Sequence, residues 1–202
     1  MSEKEQRRAI FYTVSMADSD PKALMAPEED TKGFDEYRFY KGEWIEDWPE
    51  GITFSFTRGE HAEDFTLGGL HWVLVSERVR QVFVQHHIEG VQFLPVKVIR
   101  KKTGKEVGTY WALNIIRHAE ALDWTHTLWT TSDVQEIEKH PYPELLILRP
   151  ALQWEKVKDS DIFRLRFRGE GDACIFISAR LKQWLEEAGA TSGFSFFPIP
   201  AY

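Results

Sequence analysis

From residue 71 onward, apolar and polar residues fall into blocks whose period changes along the chain. His71–Val75 is a short apolar run that reads as a buried strand, and it ends at Ser76, whose hydroxyl can accept a backbone N–H of a following helix. After Ser76, Val79, Val82 and Phe83 recur at helical spacing and define one apolar face, which Gly90 closes. Val91–Ile99 returns to a strand pattern. Lys102-Thr103-Gly104-Lys105 supplies a turn, and Val107–Ile116 completes an antiparallel hairpin.

The same order recurs near the C-terminus. Residues 72–96 read WVLVSERVRQVFVQHHIEGVQFLPV and residues 174–199 read CIFISARLKQWLEEAGATSGFSFFPI. Ser76 aligns with Ser178, Arg78 with Arg180, Arg80 with Lys182 and Gln81 with Gln183; after one extra residue, Phe93 aligns with Phe196 and Pro95 with Pro198. Leu181, Trp184, Leu185 and Ala188 give the second helix its apolar face. Neither unit buries its helix face alone, so the two are expected to pack on a shared or paired sheet.

Elsewhere the pattern is less regular. Residues 9–16 read as a first strand, ended by Asp18-Ser19-Asp20-Pro21. Residues 17–36, broken by Pro21, Pro27 and Gly33, read as a loop, and 37–57 as short aromatic β segments or an irregular arm over the core. Leu145–Leu148 and Ile162–Phe167 read as strands, and the connector 117–143 is expected to hold a short helix around Asp133–His140. The expected class is α+β: a mixed or antiparallel sheet with two repeated strand–helix–strand units and an irregular N-terminal extension. Residues 1–67 form an acidic, aromatic-rich segment packed on a core of residues 68–202.

Composition narrows the class. The chain has 202 residues, 43% hydrophobic, enough to bury a core without a staple, and its one cysteine, Cys174, excludes an internal disulfide. No signal-peptide apolar run and no membrane-span-length segment is expected, which points to a cytoplasmic protein. The net charge is −7, and residues 1–70 hold 8 basic and 16 acidic side chains, so the excess lies in the first third. That distribution argues against nucleic-acid binding by phosphate neutralisation and permits a basic protein partner.

Candidate chemistry is sparse. His86-His87 invites a metal, but adjacent helical residues point apart, and helix-end histidines suit the helix dipole. No metal or cofactor is expected. His118, His126 and His140 with Asp123 and Asp133 could form an acid–base set for a small hydrolase-like enzyme, or ligand-binding domain, with a cleft between the repeats. Against this, no nucleophile motif is present, and Cys174 reads as a buried filler. Trp72, Trp111 and Trp184 read as core, whereas Trp44, Trp48, Trp124 and Trp129 lie in polar surroundings. The richest candidate is the segment Asp35, Glu36, Glu43, Trp44, Glu46, Asp47, Trp48 and Glu50: carboxylates to steer a cationic partner and aromatics to anchor it.

Several motifs also carry a resemblance. Val75-Ser76 at a helix start, Gly90-Val91-Gln92-Phe93-Leu94-Pro95-Val96, Tyr110-Trp111-Ala112-Leu113-Asn114 and Asp123 resemble immunity-protein family 11 of bacterial polymorphic-toxin systems. So do Ile162-Phe163-Arg164, Ile175-Phe176-Ile177-Ser178 and Gly193-Phe194-Ser195-Phe196-Phe197-Pro198. The likeness spans residues 68–202, and before that only Phe11-Tyr12 fits. The serine expected after Asp123 is displaced, since Ser132 comes later. The resemblance implies a non-enzymatic protein that binds and neutralises a cognate toxin.

Overall fold

The computed structural model describes residues 9–17, 23, 25–59, 61–68, 72–131, 145–167 and 170–202. In chain order its elements are β1 (Ala9–Met16), β2 (Met25–Asp30), α1 (Tyr37–Lys41), β3 (Thr53–Arg58), β4 (Phe65–Leu67), β5 (Val73–Ser76) and α2 (Glu77–Gln85). Then come β6 (Val91–Arg100), β7 (Glu106–Ile115), β8 (His118–Ala119), β9 (Leu128–Thr131), β10 (Leu145–Arg149), α3 (Trp154–Val157) and β11 (Ile162–Phe167). The chain ends with β12 (Glu170–Ser178), α4 (Ala179–Glu187) and β13 (Phe194–Ala201). The fold is mixed α+β. A six-stranded sheet runs β2-β3-β6-β7-β5-β4, a five-stranded sheet runs β13-β1-β12-β11-β8, and β9 and β10 form a ribbon. Both larger sheets are mixed: β3 runs parallel to β6, and β8 to β11, among antiparallel neighbours.

Each nine-residue helix starts on a serine for the reason its sequence suggests. Ser76 and Ser178 are extended, and their hydroxyls accept from Val79 N–H and Leu181 N–H. An aspartate braces each cap. Asp64 accepts from Ser76 Oγ at 2.7 Å and from Arg78 at 3.1 and 2.8 Å; Asp161 accepts from Ser178 Oγ at 2.7 Å and from Arg180 at 2.8 and 2.9 Å. The flanking strands also correspond in placement. β5 and β6 lie on either side of β7, and β12 and β13 on either side of β1. The helices share one core: Val79, Val82 and Phe83 of α2 and Leu181 and Leu185 of α4 cluster with Val75, Ile115, Ile162 and Ile177 of the two sheets. His86 stacks on Trp184 with ring centroids 3.9 Å apart, so the helix-end histidine is spent on packing.

Several expectations change. The first 67 residues are not an irregular extension, because β1 lies between β12 and β13, and β3 pairs with β6. The expected boundary at 67/68 falls between β4 and β5, which pair with each other. Within the expected loop, Met25–Asp30 is a strand despite its acids and Pro27. It pairs only with β3, and an edge strand tolerates a missing N–H and exposed charge. Tyr37–Lys41 is helical, not β. Ala188 is exposed because it is the cap residue of α4, and Cys174 is exposed because it points away from the shared core. Trp72 is fully buried as expected, while Trp111 and Trp184 are half-buried beneath the guanidinium groups of Arg80 and Arg180. The helix expected around Asp133–His140 and the turn Asp18–Pro21 lie outside the described residues.

Candidate functional site

The acidic aromatic segment opens with Asp35 and Glu36 and runs into α1, which is too short to stand without tertiary support. It ends at Gly42, whose φ of 64° is left-handed; a Cβ there would sit 2.8 Å from Ile116 O and against the His118 ring, so only glycine fits. The loop beyond is held by side-chain amides. Gln92 donates to Ile45 O at 2.7 Å and accepts from Ile45 N–H at 3.0 Å. Asn114, with no exposed surface, donates to Glu43 O at 2.8 Å and to Gln92 Oε1 at 3.2 Å. The hairpin β6–β7 thus fixes the loop through its backbone.

Its eight candidate residues divide into two groups. Trp48 is a prop: half-buried among Phe34, Phe39 and Trp72, it donates Nε1–H to Pro95 O at 3.0 Å. Glu43 is half-buried beside Arg38, which reaches it at 3.0 Å and reaches Asp47 at 2.9 Å. The Arg38 hydrogen bond holds Asp47 below the ordinary carboxylate range, so Asp47 stays ionised. Glu36 is half-buried at the start of α1. Asp35, Glu46, Asp47 and Glu50 are exposed, and within the same stretch of sequence so are Trp44, at 60%, and Tyr37. A large flat ring held out by a pinned backbone among carboxylates has the make-up of an anchor for a cationic surface. The sequence singled out these residues but not Arg38, Gln92 or Asn114, whose roles depend on contacts up to 71 positions away.

The histidine set does not assemble in the described residues. His118, on β8, is half-buried; its Nδ1 lies 3.0 Å from Arg166, and burial together with Arg166 and Arg164 pushes its pKa down to about 4. His126 occupies different surroundings, with Nδ1 2.8 Å from Asp123 and the ring stacked on Tyr202. His140 and Asp133 lie outside the described residues. Between the two strand–helix–strand segments, the described residues enclose an apolar packing gap of about 10 Å³ among Val79, Phe83, Leu181 and Leu185. Among the described residues no group of His, Cys, Asp and Glu is arranged to hold a metal, and no helix is long and apolar enough to cross a membrane.

A larger depression, of about 740 Å³, lies elsewhere, between β10 and β13, and Cys174 and His126 line it. In the sequence its rim residues Leu148 and Phe197 read as parts of strands, where apolar residues are ordinarily core. No curated protein matches the chain. The family model for the immunity protein family Imm11 matches residues 2–200, nearly the whole chain, and the chain belongs to that family.

Proposed function

We propose that this chain neutralises a cognate toxin by stoichiometric association, without catalysis, and that the surface of Asp35, Trp44, Glu46, Asp47 and Glu50 is where a basic face of that toxin docks. Family membership supports toxin immunity as the class of function. The observation that carries the docking reading is Trp44, 60% exposed on a loop held by Gln92 and Asn114, with Glu46, Asp47 and Glu50 close by in sequence and Asp47 held ionised by Arg38. Indole supplies contact area at little entropic cost, and the carboxylates steer a cationic partner into register. Glu43 and Trp48 support this surface from below. The shared acid–serine–arginine caps and strand placement suit an ancestral doubling, in which β1 fills in the second unit the place that β7 holds in the first. On this reading the doubled framework is the scaffold, and the specificity lies on the acidic segment. The setting proposed is the cytoplasm of a toxin-producing bacterium.

Titration of the purified toxin from the neighbouring gene into this protein tests the reading. A one-to-one complex is expected, with association slowing about tenfold or more as salt is raised from low to several hundred millimolar. Trp44→Ala should weaken it by roughly 10- to 100-fold, and the pair Glu46→Lys with Glu50→Lys should slow association further. Absence of a complex overturns the function. A complex insensitive to all three substitutions overturns the surface.

A further inference from the structure

The five-stranded sheet is covered unevenly on the face turned away from the shared core. Phe11, Phe163 and Phe176 on that face are buried against Leu152 and Val157. Beyond this cover the sheet face runs into the groove of about 740 Å³, walled by Ile147 and Leu148 on one side and Phe197 on the other. Leu148 is 56% exposed and Phe197 55%. Leu148 stands where the β9–β10 register shifts, and such an irregularity re-aims a side chain. Trp129, the register partner of Ile147, packs edge-on against Trp124, and both are nearly half exposed. Large apolar side chains gathered round one concavity mark a contact surface more often than chance exposure.

Two features define what fits there. The first is the β13 edge. Pro200 O accepts from Leu152 N–H, so the even-numbered positions face outward, and two of them, Pro198 and Pro200, have no N–H to offer. An added strand would find a broken ladder, so recognition falls to side chains. The second is charge. Arg149 lines the groove, is exposed, and has no ion-pair partner among the described residues, in a chain whose net charge is −7. A guanidinium beside an apolar trough selects a carboxylate attached to apolar groups.

We infer that this groove is a second contact site for the toxin, taking an apolar side-chain cluster flanked by an acidic residue that pairs with Arg149. The inference rests on the proposed complex, and it gives that complex two contacts of opposite sign, which fix orientation where one would leave it free. Cys174, the chain's only cysteine, lines the groove and reports on it.

The experiment follows the reaction of Cys174 with a disulfide reagent, in the free protein and with saturating toxin whose own thiols have been blocked. The expected result is ready reaction when free and a rate about tenfold or more lower in the complex. Leu148→Ser and Arg149→Glu should each weaken the complex about tenfold, the second through an exposed side chain that folding does not need. A complex in which the thiol reacts as in the free protein, or in which Arg149→Glu binds like wild type, overturns the groove while leaving the immunity function standing. No complex at all removes the function first. Slow reaction in the free protein that depends on its own concentration overturns the inference in favour of a second copy in the groove.

Discussion

At the residue scale, Asp64 and Asp161 do the same chemical job in different surroundings. Asp64 is 1% exposed and also accepts from Ser192, through its hydroxyl at 2.8 Å and its N–H at 3.3 Å, whereas the Asp161 side chain keeps 15% of its surface. Removing an acceptor from a buried network leaves donors stranded. Asp64→Ala is therefore expected to cost roughly 3 kcal/mol in urea unfolding at neutral pH, against about 1–2 kcal/mol for Asp161→Ala. Equal losses would mean that the Ser192 link adds nothing. Ser76 and Ser178 were legible in the sequence as caps, because a cap is local. Their aspartates were not, lying 12 and 17 positions upstream in stretches with no periodicity.

At the scale of elements, the acidic loop sets one tryptophan into the core and leaves another in solvent. Trp48 and Trp44 sit four residues apart in equally polar sequence, yet one is wedged among Phe34, Phe39 and Trp72 and the other stands in solvent. Trp48→Ala should cost about 3 kcal/mol of stability, while Trp44→Ala should change it by less than about 0.5 kcal/mol. Thermal unfolding of the two variants checks this, and a stability loss at Trp44 would make it a structural ring. Gln92→Ala frees both polar groups of Ile45 and should cost about 1–3 kcal/mol while loosening toxin binding. The strands and helices from β5 to β7 were readable because each carries its own period and turn. Strand β2 and helix α1 were not. An edge strand needs no hydrophobic alternation, and a five-residue helix owes its form to the Phe39 side chain buried beneath it.

At the scale of the molecule, His118 ties the acidic segment to the five-stranded sheet: its ring packs against Gly42, and β8 lies beside β11. Arg164, 3% exposed, is its register partner and lies 5.4 Å from the Tyr40 ring, and Arg166 donates to its Nδ1. The two-sheet arrangement could be anticipated from the paired motifs, but this joint could not, because β8 is two residues long and its partner lies 46 positions later. The joint makes the fold acid-sensitive. In the unfolded chain the imidazole takes a proton near 6.5, whereas in the folded chain burial and the two arginines delay this until about 4. Between those values the unfolded state binds more protons, so stability falls as pH falls from about 6.5 to about 4 and levels off below. Because the ring is only half-buried, the slope from this group should be a fraction of the ~1.4 kcal/mol per pH unit that one complete proton would give. His118→Gln can still accept from Arg166 but cannot titrate. Its urea midpoint should therefore decline less steeply than wild type across that window and run parallel to it above pH 7. A variant whose decline matched wild type would move the acid sensitivity to the carboxylates, with Asp47, held ionised by Arg38, the first to test.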